Sequence, residues 1–164
     1  MTIQERRIAL FGAYINELQP HKDLPALTPV QIVGEYARCS LAANTEWRDI
    51  YGSSSDEMPI GFVIVGYPPN CHPDAELYIQ EAYISPESRH YGYMSRVIAE
   101  ILGKDTSSVC LYILHKNHSA HKFWHELFTK LGYAPFESEL GPAFDDYGKL
   151  YWFRKDQQEE GGSL

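Results

Sequence analysis

Ile8, Phe11, Ile15 and Leu18 recur at intervals of three and four residues, with Leu10 and Tyr14 beside them. That spacing predicts an amphipathic helix over residues 3 to 18. Thr28 followed by Pro29 has the form of an N-cap with proline at the first helical position. It predicts a second helix over 29 to 43, with Val30, Val33, Tyr36 and Ala37 facing inward. The period then changes. Trp47 to Tyr51 and Ile60 to Tyr67 read as paired strands around the polar loop Gly52–Glu57, and Pro68, Pro69 and Pro73 break the chain after them. Leu77 to Ile84 is a strand stopped by Pro86, and Gly92 to Leu102 a helix ended by Gly103. Val109 to Leu114 is an apolar strand, and Ser119 to Leu131 a helix closed by Gly132. Tyr133 to Glu139 and Lys149 to Arg154 form a last strand pair. The order predicts a mixed α/β (α+β) domain over residues 1–156, a central sheet flanked by helices. Residues 157–164 read as a polar, disordered tail.

Composition narrows the partners. Twenty-two acidic against fourteen basic residues give a net charge of −8, which disfavours nucleic acid or an anionic membrane surface. It leans slightly toward a cationic small molecule. No run approaches the roughly 18 apolar residues of a membrane span. Only Ile8 to Phe11 follow Arg6 and Arg7 before Asn16 and Glu17, which is too short for a secretory h-region. Cys39, Cys71 and Cys110 are odd in number and form no CxxC pair. They suit a reducing compartment, and the cytoplasm is expected.

The chemistry concentrates between Glu76 and Leu102. Ile84-Ser85-Pro86-Glu87-Ser88-Arg89-His90-Tyr91-Gly92-Tyr93-Met94 joins a strand to a helix. Such a turn offers unpaired N–H groups and the positive end of the helix dipole to an anion. Arg89 adds charge, and Gly92 leaves the backbone open to close approach. A P-loop is excluded because GxxxxGK[ST] is absent, and a dinucleotide fingerprint because two of its three glycines are missing. His121 and His125 share a helix face, but no Cys or Asp nearby completes a set, and no metal is expected.

Ile84, Pro86, Arg89 and Gly92 resemble the pyrophosphate loop of the GNAT (GCN5-related N-acetyltransferase) superfamily, with Met94 where that loop has a small residue. Asn117, Ala120, Phe123 and Trp124, then Leu131-Gly132-Tyr133, resemble a second block of the family, with the helix about one turn longer. The resemblance covers roughly residues 58 to 154. It implies a GNAT-like sheet with a splayed pair of parallel strands, Leu77–Ile84 and Val109–Leu114. The family's first strand is either missing here or replaced by another segment.

The resemblance also implies acetyl-CoA as cosubstrate, transfer to the amine of a small molecule or amino group, and a homodimer. Cofactor contacts are expected from Ala82, Tyr83, Ile84, Arg89, His90, Tyr91, Gly92, Tyr93, Met94, Asn117 and Trp124. Glu81 is the candidate base, with Glu76 and Gln80 on the opposite strand face if alternation is regular. The family's acidic tyrosine falls at Trp124, or at Phe128 if the extra turn lies earlier, and neither side chain can protonate a thiolate. Tyr133 is carried as the candidate acid, with Tyr93, Tyr112 and His115 as alternatives that spacing does not separate. Tyr51, Tyr67, Tyr78, Tyr83, Trp47 and Trp152 either line an acceptor pocket or pack the core. The alternative function is a GNAT-fold protein that binds acyl-CoA or a protein partner without turnover.

Overall fold

The computed structural model describes residues 1–156; residues 157–164, where the tail is expected, lie outside them. Helix α1 (Ile3–Leu18) begins at a capping box. Glu5 N–H donates to the Thr2 hydroxyl at 3.1 Å, and Thr2 N–H donates to the Glu5 carboxylate at 2.6 Å. Helix α2 (Pro29–Ser40) repeats the device with Thr28 and Gln31. The two helices cross closely, because a Cβ on the buried Gly12 would stand 3.1 Å from Ile32.

Four elements then lay down most of the sheet: β1 (Thr45–Ile50), β2 (Gly61–Gly66), β3 (Leu77–Ile84) and, after helix α3 (Tyr93–Leu102), β4 (Ser108–Leu114). Helix α4 (His118–Lys130) leads to β5 (Tyr133–Phe136) and β6 (Gly148–Lys155). The strand order is β1-β2-β3-β4-β6-β5, and every neighbouring pair is antiparallel except β3 with β4. Among the described residues no strand lies ahead of α1, so the sheet begins at the strand that follows α2.

Two cores sandwich the sheet. On one face α3 and α4 cover Val63, Val65, Leu77, Ile79, Val109 and Leu111, with Phe128 stacked 4.4 Å from Phe153. On the other, α1 and α2 bury an aromatic cluster in which Trp47 stacks 4.3 Å from Phe62 and Phe11 meets Tyr36 edge-on at 5.9 Å. Arg7 closes that face with a bidentate pair to Asp49, which also accepts from the Trp47 indole at 2.8 Å. The inward stripe of α2 differs from the expected one. Tyr36 is buried, but Val30 is 82% and Val33 50% exposed. Ile32, Tyr36 and Cys39 make the contact instead. Both stripes obey helical periodicity, and the aromatic cluster on the sheet selects the second. All three cysteines are free. No helix of the described residues is long and apolar enough to cross a membrane.

Candidate active site

The site begins where the parallel pair stops. β3 and β4 are in register at Leu77–Val109, Tyr78–Cys110 and Ile79–Leu111, and no further. Beyond that point β3 follows β2 as far as Ile84, while β4 follows β6 as far as Leu114. The strands therefore splay. A bulge drives the change on β3: Ile64 opposes Glu81 but Val65 opposes Ile79, leaving Gln80 as the extra residue. A bulge bends its strand and adds twist. It also resets the alternation. Leu77 and Ile79 face the α3/α4 core, whereas Tyr83 joins the aromatic cluster and Glu81 reaches α1. The regular alternation expected for Glu76, Gln80 and Glu81 is thus broken at Gln80. Past the splay, the β4-facing backbone edge of residues 80–84 lacks a ladder partner; Ile84 O accepts from Arg89 Nε at 2.9 Å.

The strand leads straight into the Arg89–Met94 turn. A single 3-10 turn, Pro86–Ser88, is followed by His90 at φ 69° and by Gly92 at φ 80°, the N-cap of α3. No protein atom lies within 4 Å of where a Cβ on Gly92 would project. Glycine is therefore needed for the left-handed backbone rather than for local space. The first-turn N–H groups of α3 open toward a cavity of about 410 Å³. Ala82, Tyr83, Ile84, Arg89, His90, Gly92, Tyr93, Met94, Asn117 and Trp124 all line it. Tyr91 does not: it is 71% exposed and leans on Tyr93 at 5.9 Å. Arg89 is held from two sides, by Glu17 at 2.6 Å and by the Tyr83 ring 5.4 Å away. Met94 is half-buried and packs against the main core while still lining the cavity.

A second, larger cavity of about 620 Å³ adjoins the first on the α1/α2 side. Tyr14, Leu18, Ala82, Asn117, Ala120 and Trp124 line both. Glu81 lies in the larger one and accepts a hydrogen bond from the Tyr14 hydroxyl. Burial pushes the Glu81 carboxyl above the ordinary glutamate range. The Tyr14 hydrogen bond, Lys22 and Arg38 pull it back, and Glu35 adds to the rise. Burial also raises the Tyr14 phenol well above its usual value, helped by the Glu81 charge. Sequence reading missed Tyr14 as a site residue. It falls within the apolar stripe of α1, where it reads as packing, and only the fold sets its hydroxyl against β3.

Tyr133 is not brought to the cleft. It is buried in the core under α3 and α4 against Phe128, its hydroxyl bonded to Thr106 O at 2.5 Å, and it lines neither cavity. The expectation that it serves as the acid is corrected accordingly. Tyr112 lines the larger cavity and donates to Asp145 at 2.5 Å, and Tyr93 lines the smaller. His115 is exposed and faces Asp145 O at 3.2 Å. Of the six further aromatics, Tyr78 and Tyr83 reach the cavities. His121 and His125 direct ring nitrogens at the carbonyls of Leu114 and His121, at 3.1 and 2.7 Å. Among the described residues no three His, Cys, Asp or Glu side chains converge as a metal site.

A helix-covered mixed sheet, split at its parallel pair beneath a glycine-capped helix start, defines the GNAT acetyltransferase fold, and the chain has it. An acetyltransferase from Thermus thermophilus superposes with a TM-score of 0.62 at 9% identity, over 93% of this chain and 92% of that one. The spermidine N-acetyltransferase of Vibrio cholerae, in complex with CoA and spermine, gives 0.57 at 12% identity over 93% and 90%. A GNAT-family acetyltransferase from Bacillus cereus gives 0.53 at 13% over 96% and 95%. At such identities the likeness is one of fold. No protein-family model and no curated protein matches the sequence.

Proposed function

We propose that the protein is an acetyl-CoA-dependent N-acetyltransferase acting on the amine of a small molecule. The observation that carries this reading is the pair of adjoining cavities meeting at the splay, one built to receive an anion and the other holding a buried carboxylate. Three features fit an acyl-CoA in the smaller cavity. The first turn of α3 offers free N–H groups to a pyrophosphate, Arg89 adds a cation, and the unladdered edge of Ala82–Ile84 offers backbone groups to an extended amide chain. When bound, the thioester supplies an acyl carbon open to attack by nitrogen. An N–H along Ala82–Ile84 would polarise its carbonyl.

Glu81 then acts from the larger cavity. An amine enters largely as ammonium and must lose a proton before its lone pair can react. A carboxylate whose pKa is raised by burial is a better acceptor for that proton than an ordinary glutamate. Tyr14 fixes the carboxylate by donating to it, and lies where both cavities meet. Its hydroxyl is the polar hydrogen nearest in role to the missing acid of α4. Glu81 takes the ammonium proton and releases it to solvent before attack; the N–C bond then forms as the C–S bond breaks, the proton shed by the acylated nitrogen passes to Glu81, and CoA leaves as the thiolate without a strong acid.

The test is thiol release from acetyl-CoA across a broad panel of amines. Amine-dependent release that Glu81→Gln abolishes supports the reading. Tight CoA binding with no release from any amine would replace it by a second reading, acyl-CoA binding without turnover. Trp124 favours that second reading, since an indole stands where the family has an ionisable hydroxyl.

A further inference from the structure

We propose that the larger cavity takes an amine that also carries an anionic group, its ammonium toward Glu81 and its anion held by Lys22. This rests on the acyltransfer reading for the identity of the amine, but it is argued from the cavity's own charges.

Four charged side chains line that cavity: Lys22 from the turn after α1, Glu35 and Arg38 from α2, and Glu81 from β3. Arg38 and Glu35 are bound to each other at 2.7 Å. Lys22 and Glu81 form no ion pair among the described residues. The cavity therefore presents one uncommitted anion, whose partner is the neutral Tyr14 hydroxyl, and one uncommitted cation. The Lys22 ammonium lies 5.9 Å from the centre of the Tyr147 ring. Gln80, the bulge residue, also lines the cavity, but its side-chain oxygen is buried away from solvent and has no hydrogen-bond partner. Glu81 suits one ammonium group, and Lys22 then calls for an anion elsewhere on the same molecule.

The balance also argues against a polyamine. A long polycation would place a further charge against Lys22, whereas a molecule with one charge of each sign meets a complement at both ends. The overall acidity of the chain, which leans toward a cationic ligand, is not reproduced in the cavity. A volume of about 620 Å³ is ample for a small metabolite.

The test compares matched probes: the L-amino acids against their carboxamides, with taurine and O-phosphoethanolamine as sulfonate and phosphate arms, and spermidine as the polycation. Thiol release from acetyl-CoA is followed for each, and binding to CoA-saturated protein is measured by calorimetry. The expected result is that at least one class of anionic amine exceeds its neutral counterpart roughly tenfold in binding or kcat/KM. Lys22→Met should collapse that ratio and Lys22→Arg should keep most of it, with melting temperatures confirming that both variants are folded. Amides or spermidine used as well as the anionic amines, an unchanged ratio in Lys22→Met, or no binding of any anionic amine would overturn the proposal. Binding of anionic amines without thiol release would sustain it while removing the catalytic reading. Thiol release with amides or spermidine alone would do the reverse.

Discussion

The smaller cavity is built mainly from one short stretch of chain, Ala82 to Ser95, completed by α4 and the end of α1, whereas the larger gathers residues from Tyr14 to Trp124 out of three helices, a 3-10 turn and two strands. Their physics differs in the same way. The first relies on backbone: a left-handed glycine, the free N–H groups of a helix start, and strand edges released by the splay. The second relies on side chains whose meeting is set by tertiary packing, Tyr14 against Glu81 above all. A backbone site is robust to most substitutions and sensitive to conformation. A side-chain site is sensitive to single atoms.

Replacing Glu81 by Gln gives the largest expected effect. It keeps the shape and the acceptor for Tyr14 but removes the base, so kcat/KM should fall about a hundred- to a thousandfold while acetyl-CoA affinity holds. The pH profile sharpens this. Activity should rise as the Glu81 carboxyl ionises, with a midpoint above the ordinary glutamate value of about 4.3, and Glu81→Gln should lose that limb. Stability has the opposite sign. Folding raises this carboxyl's pKa, so the folded chain holds the proton to higher pH than the unfolded chain. Stability should decline as pH climbs from the ordinary value through the raised one, and Glu81→Gln should flatten the decline in denaturant midpoints.

Gly92→Val comes next and strikes the other cavity. A β-branched residue at φ 80° costs on the order of 1–2 kcal/mol or rearranges the turn. Acetyl-CoA affinity should fall at least roughly tenfold, equivalent to about 1.4 kcal/mol by calorimetry. If Glu81→Gln weakened CoA binding as much as Gly92→Val, the division between the two cavities would fail.

Tyr14→Phe should have a smaller effect, a several-fold loss of rate. Its hydroxyl lowers the Glu81 pKa, so its removal should move the activity limb to higher pH. A purely structural role would lower stability without moving that limb. The smallest effects lie outside both sites. Thr28→Ala removes a capping box and should cost about 1 kcal/mol, while Val33→Asp, half-exposed on α2, should stay within about 0.5 kcal/mol in urea unfolding.

The same contrast explains what could be read from the sequence. The strands, helices and caps were legible because periodicity, Thr28-Pro29, Gly103 and Gly132 are local signals. The turn was legible because its chemistry lies within eleven consecutive residues, and ten of the eleven expected cofactor contacts line one cavity. Tyr91, the exception, is exposed, and lies between the left-handed His90 and Gly92. The acceptor side was not legible. No local pattern marks Gln80 as a bulge, since that depends on its pairing with β2, and the bulge decides which face Glu81 takes. Tyr133 was an attractive acid by position after α4, but the core claims it. Tyr14 reads as part of an apolar stripe because helical spacing cannot tell a packed ring from one whose hydroxyl meets a carboxylate on the sheet. Val30 and Val33 misled for the same reason: two stripes of α2 satisfy one period, and only the aromatic cluster of β1 and β2 chooses between them.

Calorimetric titration of the intact wild-type protein with acetyl-CoA tests the central claim most directly. A cleft formed by the splay and the α3 start should bind one molecule per chain with a dissociation constant in the micromolar range, on the order of −8 kcal/mol. Absence of any saturable heat up to high micromolar ligand, from protein shown to be folded, would contradict it.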